Sequence, residues 1–115
     1  MKNNYTKYLN DDEIKALSIL KEKILEKYQT AKLILYRSKV REDYNKDSDI
    51  DVLILLDISI NSIIEYDVYR RILSNVSEKY PNCVISLILK SKNDWKNYKR
   101  NVLLKKFILK EGVII

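Results

Sequence analysis

The sequence predicts an α/β (α+β) domain: a mixed sheet of about four strands with helices packed on it, in the order αββαβααβ. Three observations predict it. Apolar residues recur at helical spacing over 14–28, 64–80 and 102–110, whereas short continuous apolar runs stand at 33–36, 50–56, 84–89 and 113–115. The segment 37–48 between the first two runs is too short for the crossover helix that parallel neighbours need, so those strands pair antiparallel. The 115 residues contain no repeat, no linker and no low-complexity segment, which makes 1–115 a single domain with a modest core.

Asn10, followed by Asp11, Asp12 and Glu13, starts the first helix, with a capping side chain and acids at the positive end of the dipole. Ile14, Leu17, Leu20, Ile24 and Tyr28 then place that helix at about 11–28, with Lys15, Glu22, Lys23 and Glu26 on its solvated side. Strand one covers about 31–36 and strand two 50–56. Asn61 or Ser62 opens the next helix, which carries Ile64, Val68, Ile72, Val76 and Tyr80 and is stopped by Pro81-Asn82. The nearly continuous apolar run at 84–89 reads as a central strand covered on both faces. Ser91 caps a short helix at about 93–98, and Val102–Lys110 form the last one. Gly112, the only glycine, suits the position just past a helix end where a left-handed backbone is common. Val113–Ile115 close the sheet. Trp95, Tyr98 and Phe107 read as core or partner-facing residues, and Cys83 as a small, partly buried one.

Composition excludes several classes. Hydrophobic residues make up 46% and charged residues 33%, the balance of a soluble globular protein. No apolar run approaches the ~20 residues that span a bilayer, the N-terminus has no secretory segment, and a single cysteine forms no internal disulfide. The cytoplasm is the expected location. Without histidine the chain cannot build a Ser-His-Asp or Cys-His site or a histidine-ligated zinc centre. Carboxylates, lysine, hydroxyls or a metal must carry any catalysis. A net charge of +6 attracts anions, but the lysines are spread along the chain and read mostly as solvated surface. No nucleic-acid-binding motif stands out, so direct binding of nucleic acid ranks last among the readings.

Residues 33–57 organise the rest. The second apolar run opens with Asp49-Ile50-Asp51, and side chains two apart on a strand stand on one face, roughly 6–7 Å apart. Carboxylates at the mouth of a buried strand need a partner, and a divalent cation is one. As an isolated pattern, Asp47-Ser48-Asp49 would instead be a turn cap. Ser38 ends the first run, where a strand-to-loop turn offers hydroxyl and backbone N–H to a phosphate.

This stretch resembles the nucleotidyltransferase signature of the DNA polymerase β-like superfamily, in its minimal single-domain (MNT) form. The family pattern is Gly-Ser, ten residues, then Asp-x-Asp, at the ends of two neighbouring strands. Ser38, ten intervening residues (39–48), Asp49 and Asp51 match it. Lys39, Arg41 and Asp43 resemble the basic-x-basic-x-acidic loop, and Glu111-Gly112-Val113-Ile114-Ile115 resembles the usual ending. Arg37 and Glu42 stand where the family has glycines, positions that serve close backbone approach or positive φ.

The resemblance implies that Asp49 and Asp51 are catalytic and hold Mg²⁺ (or Mn²⁺). It implies that Arg37, Ser38, Lys39 and Arg41 bind the nucleotide, Ser38 at a terminal phosphate and the cations at the leaving pyrophosphate. It also implies a third carboxylate on a later strand. That position falls near Ser86 here, so either Asp94 or a group on the acceptor serves, or the site is incomplete. The implied reaction moves a nucleoside monophosphate, AMP from ATP, to a protein hydroxyl. Such proteins resemble the antitoxin of a pair whose partner is an all-helical HEPN-domain ribonuclease, modified on a tyrosine. Because both glycines are replaced, a second reading is a catalytically impaired protein of this fold that neutralises its partner by contact.

Overall fold

The N-terminal helix is fastened at its first turn. In α1 (Asp11–Lys27) the Asn10 side chain accepts from the Glu13 N–H at 2.9 Å, while the Glu13 carboxylate accepts from the Asn10 N–H at 3.0 Å. This reciprocal box satisfies two otherwise orphaned amides and explains how an acidic residue comes to be buried there. The computed structural model describes residues 4–36, 49–99 and 102–115. A 3₁₀ turn at Tyr5–Tyr8 precedes α1.

The sheet has four strands: β1 (Lys32–Tyr36), β2 (Ile50–Leu56), β3 (Ile85–Ser91) and β4 (Val113–Ile114), in the order β3-β2-β1-β4. β1 runs antiparallel to both β2 and β4, and β2 runs parallel to β3. The short connection predicts the antiparallel β1–β2 pair correctly. Alternation then divides the core into two layers. Ile50, Val52, Ile54 and Leu56 face α1 and the long central helix, where Leu17, Leu20, Ile24, Val68 and Val76 meet them. Leu53 and Leu55, with Ile34 and Tyr36 of β1, face Trp95 and Ile108 on the other side. Trp95 belongs to α4 (Lys92–Lys96), which Ser91 caps through the Asp94 amide, and Ile108 to α5 (Val102–Glu111).

Three expectations need correction. β3 is an edge strand, half covered; the fully buried centre is β2. Both runs are apolar enough to be central, and sequence cannot say which is paired on both sides. The open edge of β3 is met by a side chain, since the Tyr69 hydroxyl donates to the Leu87 carbonyl at 3.3 Å.

Second, the central helix is not uniform. It begins as α2 (Ser62–Tyr66), capped by Asn61, passes through a π-helical stretch at Asp67–Ile72 and ends as α3 (Leu73–Lys79). The cause lies in the spacing: apolar residues four apart drift by roughly 40° per step on a helix of 3.6 residues per turn. A wider turn, with the Leu73 N–H reaching the Val68 carbonyl, returns Val68, Ile72 and Val76 to one stripe.

Third, Gly112 is required by space. Its N–H donates to the Ile108 carbonyl at 2.8 Å, and a Cβ here would collide with that oxygen and lie 2.9 Å from Ile34 Cγ2. Close approach of α5 to β1 is the reason for glycine, in place of the left-handed backbone expected.

Candidate active site at the start of the central strand

β2 is anchored at its first residue, where the Ile50 N–H donates to the Val84 carbonyl at 2.8 Å. Asp49 immediately precedes the strand and is exposed, while Asp51 lies inside it at 9% exposure. Both share the strand face of Leu53 and Leu55, the side covered by α4 and α5. Asp51 is paired in register with Tyr36 on β1 and with Ser86 on β3, so one row of the sheet reads Tyr36, Asp51, Ser86. Tyr36 is fully buried and Ser86 is exposed. The row is therefore closed on the β1 side and open on the β3 side.

Ser86 stands where the resemblance implies a third carboxylate, directly beside Asp51. A serine hydroxyl offers a hydrogen bond but no useful base. Asp94 does not replace it. Its amide donates to Ser91 at the start of α4, and Ser91 pairs with Leu56, five rows along from the Asp51–Ser86 row. At about 3.3 Å per residue those rows are about 17 Å apart. That alternative is overturned by the parallel pairing, which sends the end of β3 away from the carboxylates.

Among the described residues no group of three or more His, Cys, Asp or Glu could hold a metal ion. The pair Asp49 and Asp51 remains, and two carboxylates suit Mg²⁺, which keeps several waters and takes further oxygens from a substrate's phosphates. The donor set fits such an ion. Arg37, Ser38, Lys39, Arg41 and Glu42 lie outside the described residues, as does the expected convergence of Ser38 with the aspartates. Tyr36, two positions before Ser38 in the chain, ends β1 opposite Asp51.

Two features escape sequence reasoning. A crevice of about 380 Å³, lined by Leu56, Asp57, Ser59, Lys92 and Asp94 among others, opens at the far end of β2 and β3. Lys92 crosses it, bonding the Asp57 carboxylate at 3.2 Å and the Thr30 carbonyl at 2.7 Å. The Thr30 hydroxyl and Lys92 hold Asp57 below the usual carboxylate range. The other feature is an acid buried in the π-helical stretch. Asp67 accepts from Lys27 Nζ at 2.7 Å and from the Tyr28 hydroxyl at 2.9 Å. Burial works to raise its pKa, but these bonds and the charges of Lys27 and Arg71 outweigh it and hold the group low. Burial, then the bond to Asp67, pushes Tyr28 up to about 12. The only sequence signal was Tyr28 at the end of the α1 stripe, with Lys27 beside it.

A family model described as nucleotidyltransferase domain matches residues 17–115. No curated protein matches the chain.

Proposed function

Since the chain belongs to the nucleotidyltransferase domain family, we propose that it moves a nucleoside monophosphate, AMP from ATP, to a hydroxyl of a protein. The observation that carries this reading is the row Tyr36, Asp51, Ser86 at the start of β2, with Asp49 on the same strand face. Asp49 and Asp51 would hold a divalent cation, Mg²⁺ or Mn²⁺. When bound, such an ion neutralises charge on the phosphates of a nucleoside triphosphate.

The chain's own residues define the rest. Asp51, packed in the sheet, is a fixed ligand; Asp49, outside it, is free to adjust. Tyr36 closes the β1 side, so the acceptor approaches over Ser86. The acceptor oxygen bonds to the α-phosphorus, the bond from that phosphorus to the β-phosphate oxygen breaks, and pyrophosphate leaves. The acceptor's proton must go to solvent or pyrophosphate, because Ser86 is no base. That favours an acceptor that gives up its proton easily. A tyrosine phenol, with a pKa of about 10, does so more readily than serine or threonine. A tyrosine of a HEPN-type partner, with this chain as its antitoxin, is the acceptor we infer.

A second reading rests on the same serine. With two carboxylates and with Arg37 and Glu42 in place of glycines, the chain would act as a binding module that neutralises the partner by contact. Mass spectrometry of the partner after incubation with the chain, ATP and Mg²⁺ separates them. Gain of an adenylyl group on a tyrosine, lost with Asp51→Asn, supports transfer. A stable complex without that gain supports the binding module.

A further inference from the structure

The cations are spread along the sequence, but the net charge is not. Residues 92–115 carry seven of the chain's 22 basic residues and two of its 16 acidic ones, and so hold +5 of its net +6. The segment contains α4 and α5, in which Lys92, Lys96, Lys105, Lys106 and Lys110 stand against Asp94 and Glu111. The inner side of α5 packs Ile108 into the core. Its outer side is an arc roughly 120° wide at 100° per residue, made of Leu109, Val102, Lys106, Lys110 and Leu103 in angular order. Every one of these is exposed, Leu103 at 80%, Leu109 at 54% and Val102 at 50%. No acid lies on the arc.

We propose that the outer face of α5 docks an acidic amphipathic helix of another protein. Leucine and valine along the two sides of the arc supply the apolar contact, and the lysines between them require carboxylates opposite. The same arrangement argues against other occupants. A second copy of this chain, packed face to face about a two-fold axis, would set Lys106 and Lys110 against their own images. An anionic membrane suits a helix whose lysines flank the apolar stripe, but here they stand in its middle and would be pressed into the acyl layer. A single-stranded nucleic acid calls for exposed aromatic platforms. The aromatics of this segment are engaged inside: Trp95 is buried, stacked on Tyr98 at 5.4 Å, with Lys105 over its ring. This inference does not depend on whether the chain turns over nucleotide.

The test is fluorescence anisotropy of a labelled synthetic helical peptide, with leucines at i, i+3, i+4 and i+7 flanked by glutamates, titrated with the full chain. Binding is expected, weakening as salt rises, and absent for the matching peptide with lysine in place of glutamate. Leu103→Glu combined with Lys106→Glu should weaken it at least tenfold, and Leu109→Glu alone should weaken it as a second, separate probe. The charge-matched control Lys15→Glu with Lys79→Gln, on α1 and α3, should change it less than twofold. Circular dichroism checks that each variant is folded. Failure of the acidic peptide to bind, or equal binding by the α5 variants, overturns the proposal. So does tighter binding of phosphatidylserine vesicles or single-stranded RNA than of the peptide, or a dimer by light scattering that Leu103→Glu dissolves.

Discussion

A hydroxyl beside Asp51 gives the site a hydrogen-bonding group where a carboxylate would give it charge and a base. Ser86 is exposed, so replacing it should leave the sheet intact. Ser86→Asp is expected to raise Mg²⁺ affinity and to speed transfer by roughly a hundredfold, the lower end of what a positioned base contributes. Transfer of label from ATP as a function of Mg²⁺ concentration reads both effects, and an unchanged rate would mean that acceptor deprotonation is not limiting. On the proposed function, the residues at 37 and 42 would bear on the phosphates instead. Arg37→Gly with Glu42→Gly should strengthen Mg-ATP binding, because glycine opens volume beside Ser38 and removes an acid near an anionic ligand. The charge lost with Arg37 is worth only about 0–1 kcal/mol if exposed. Weaker binding by the double variant in a calorimetric titration would make Arg37 a working phosphate ligand.

At the scale of elements, the end of α1 is held to the central helix by one buried acid. Asp67→Asn keeps the shape but loses the charge that Lys27 and Tyr28 address, and should cost about 1–3 kcal/mol, seen as a lower urea midpoint. The pH dependence follows from the two shifts. Asp67 is held below its usual value, so its contribution is present above about pH 4 and lost as pH falls through the folded value. Tyr28 is raised from 10.0 to about 12, so its contribution is present below pH 10.0 and lost as pH climbs toward 12. Asp67→Asn should remove its part of the acid limb and reduce the alkaline one, where burial of Tyr28 remains the larger cause. Gly112→Ala, which drives a Cβ into the Ile108 carbonyl and Ile34, should cost about 1–3 kcal/mol by the same urea assay. These elements also mark what the sequence discloses. The Asn10 and Ser91 caps, the bounds of β2 and the antiparallel β1–β2 pair were legible because they rest on local chemistry and loop length, and the cap of the central helix was narrowed to Asn61 or Ser62. The edge position of β3, the reach of Gly112 to Ile34 and the partners of Asp67 were not. Each depends on a residue far away in the chain, and no local pattern encodes it. In the site, the Asp49–Asp51 spacing was readable, whereas the placement of Asp94 at the wrong end needed the β2–β3 register.

The molecule as a whole is polarised along β2. One end of the strand carries Asp49 and Asp51, the other the crevice crossed by Lys92, and the basic pair α4 and α5 covers the carboxylate-bearing face between them. Such a cover leaves the site approachable over β3 and places positive charge, from Lys92 and Lys96 of α4 and Lys105, Lys106 and Lys110 of α5, on the side where an anionic substrate would arrive. All of this rests on two carboxylates acting as the anchor of a metal–nucleotide complex. Removing either strips charge from a site with few protein ligands to spare, while relieving repulsion between neighbours. The direct measurement is a calorimetric titration of ATP into the full chain, with and without Mg²⁺, alongside Asp49→Asn and Asp51→Asn. Saturable binding that requires the metal and disappears in both variants, with their thermal midpoints unchanged or raised, is the expected result. Equal Mg-ATP affinity in the parent chain and both variants would contradict the assignment of these aspartates.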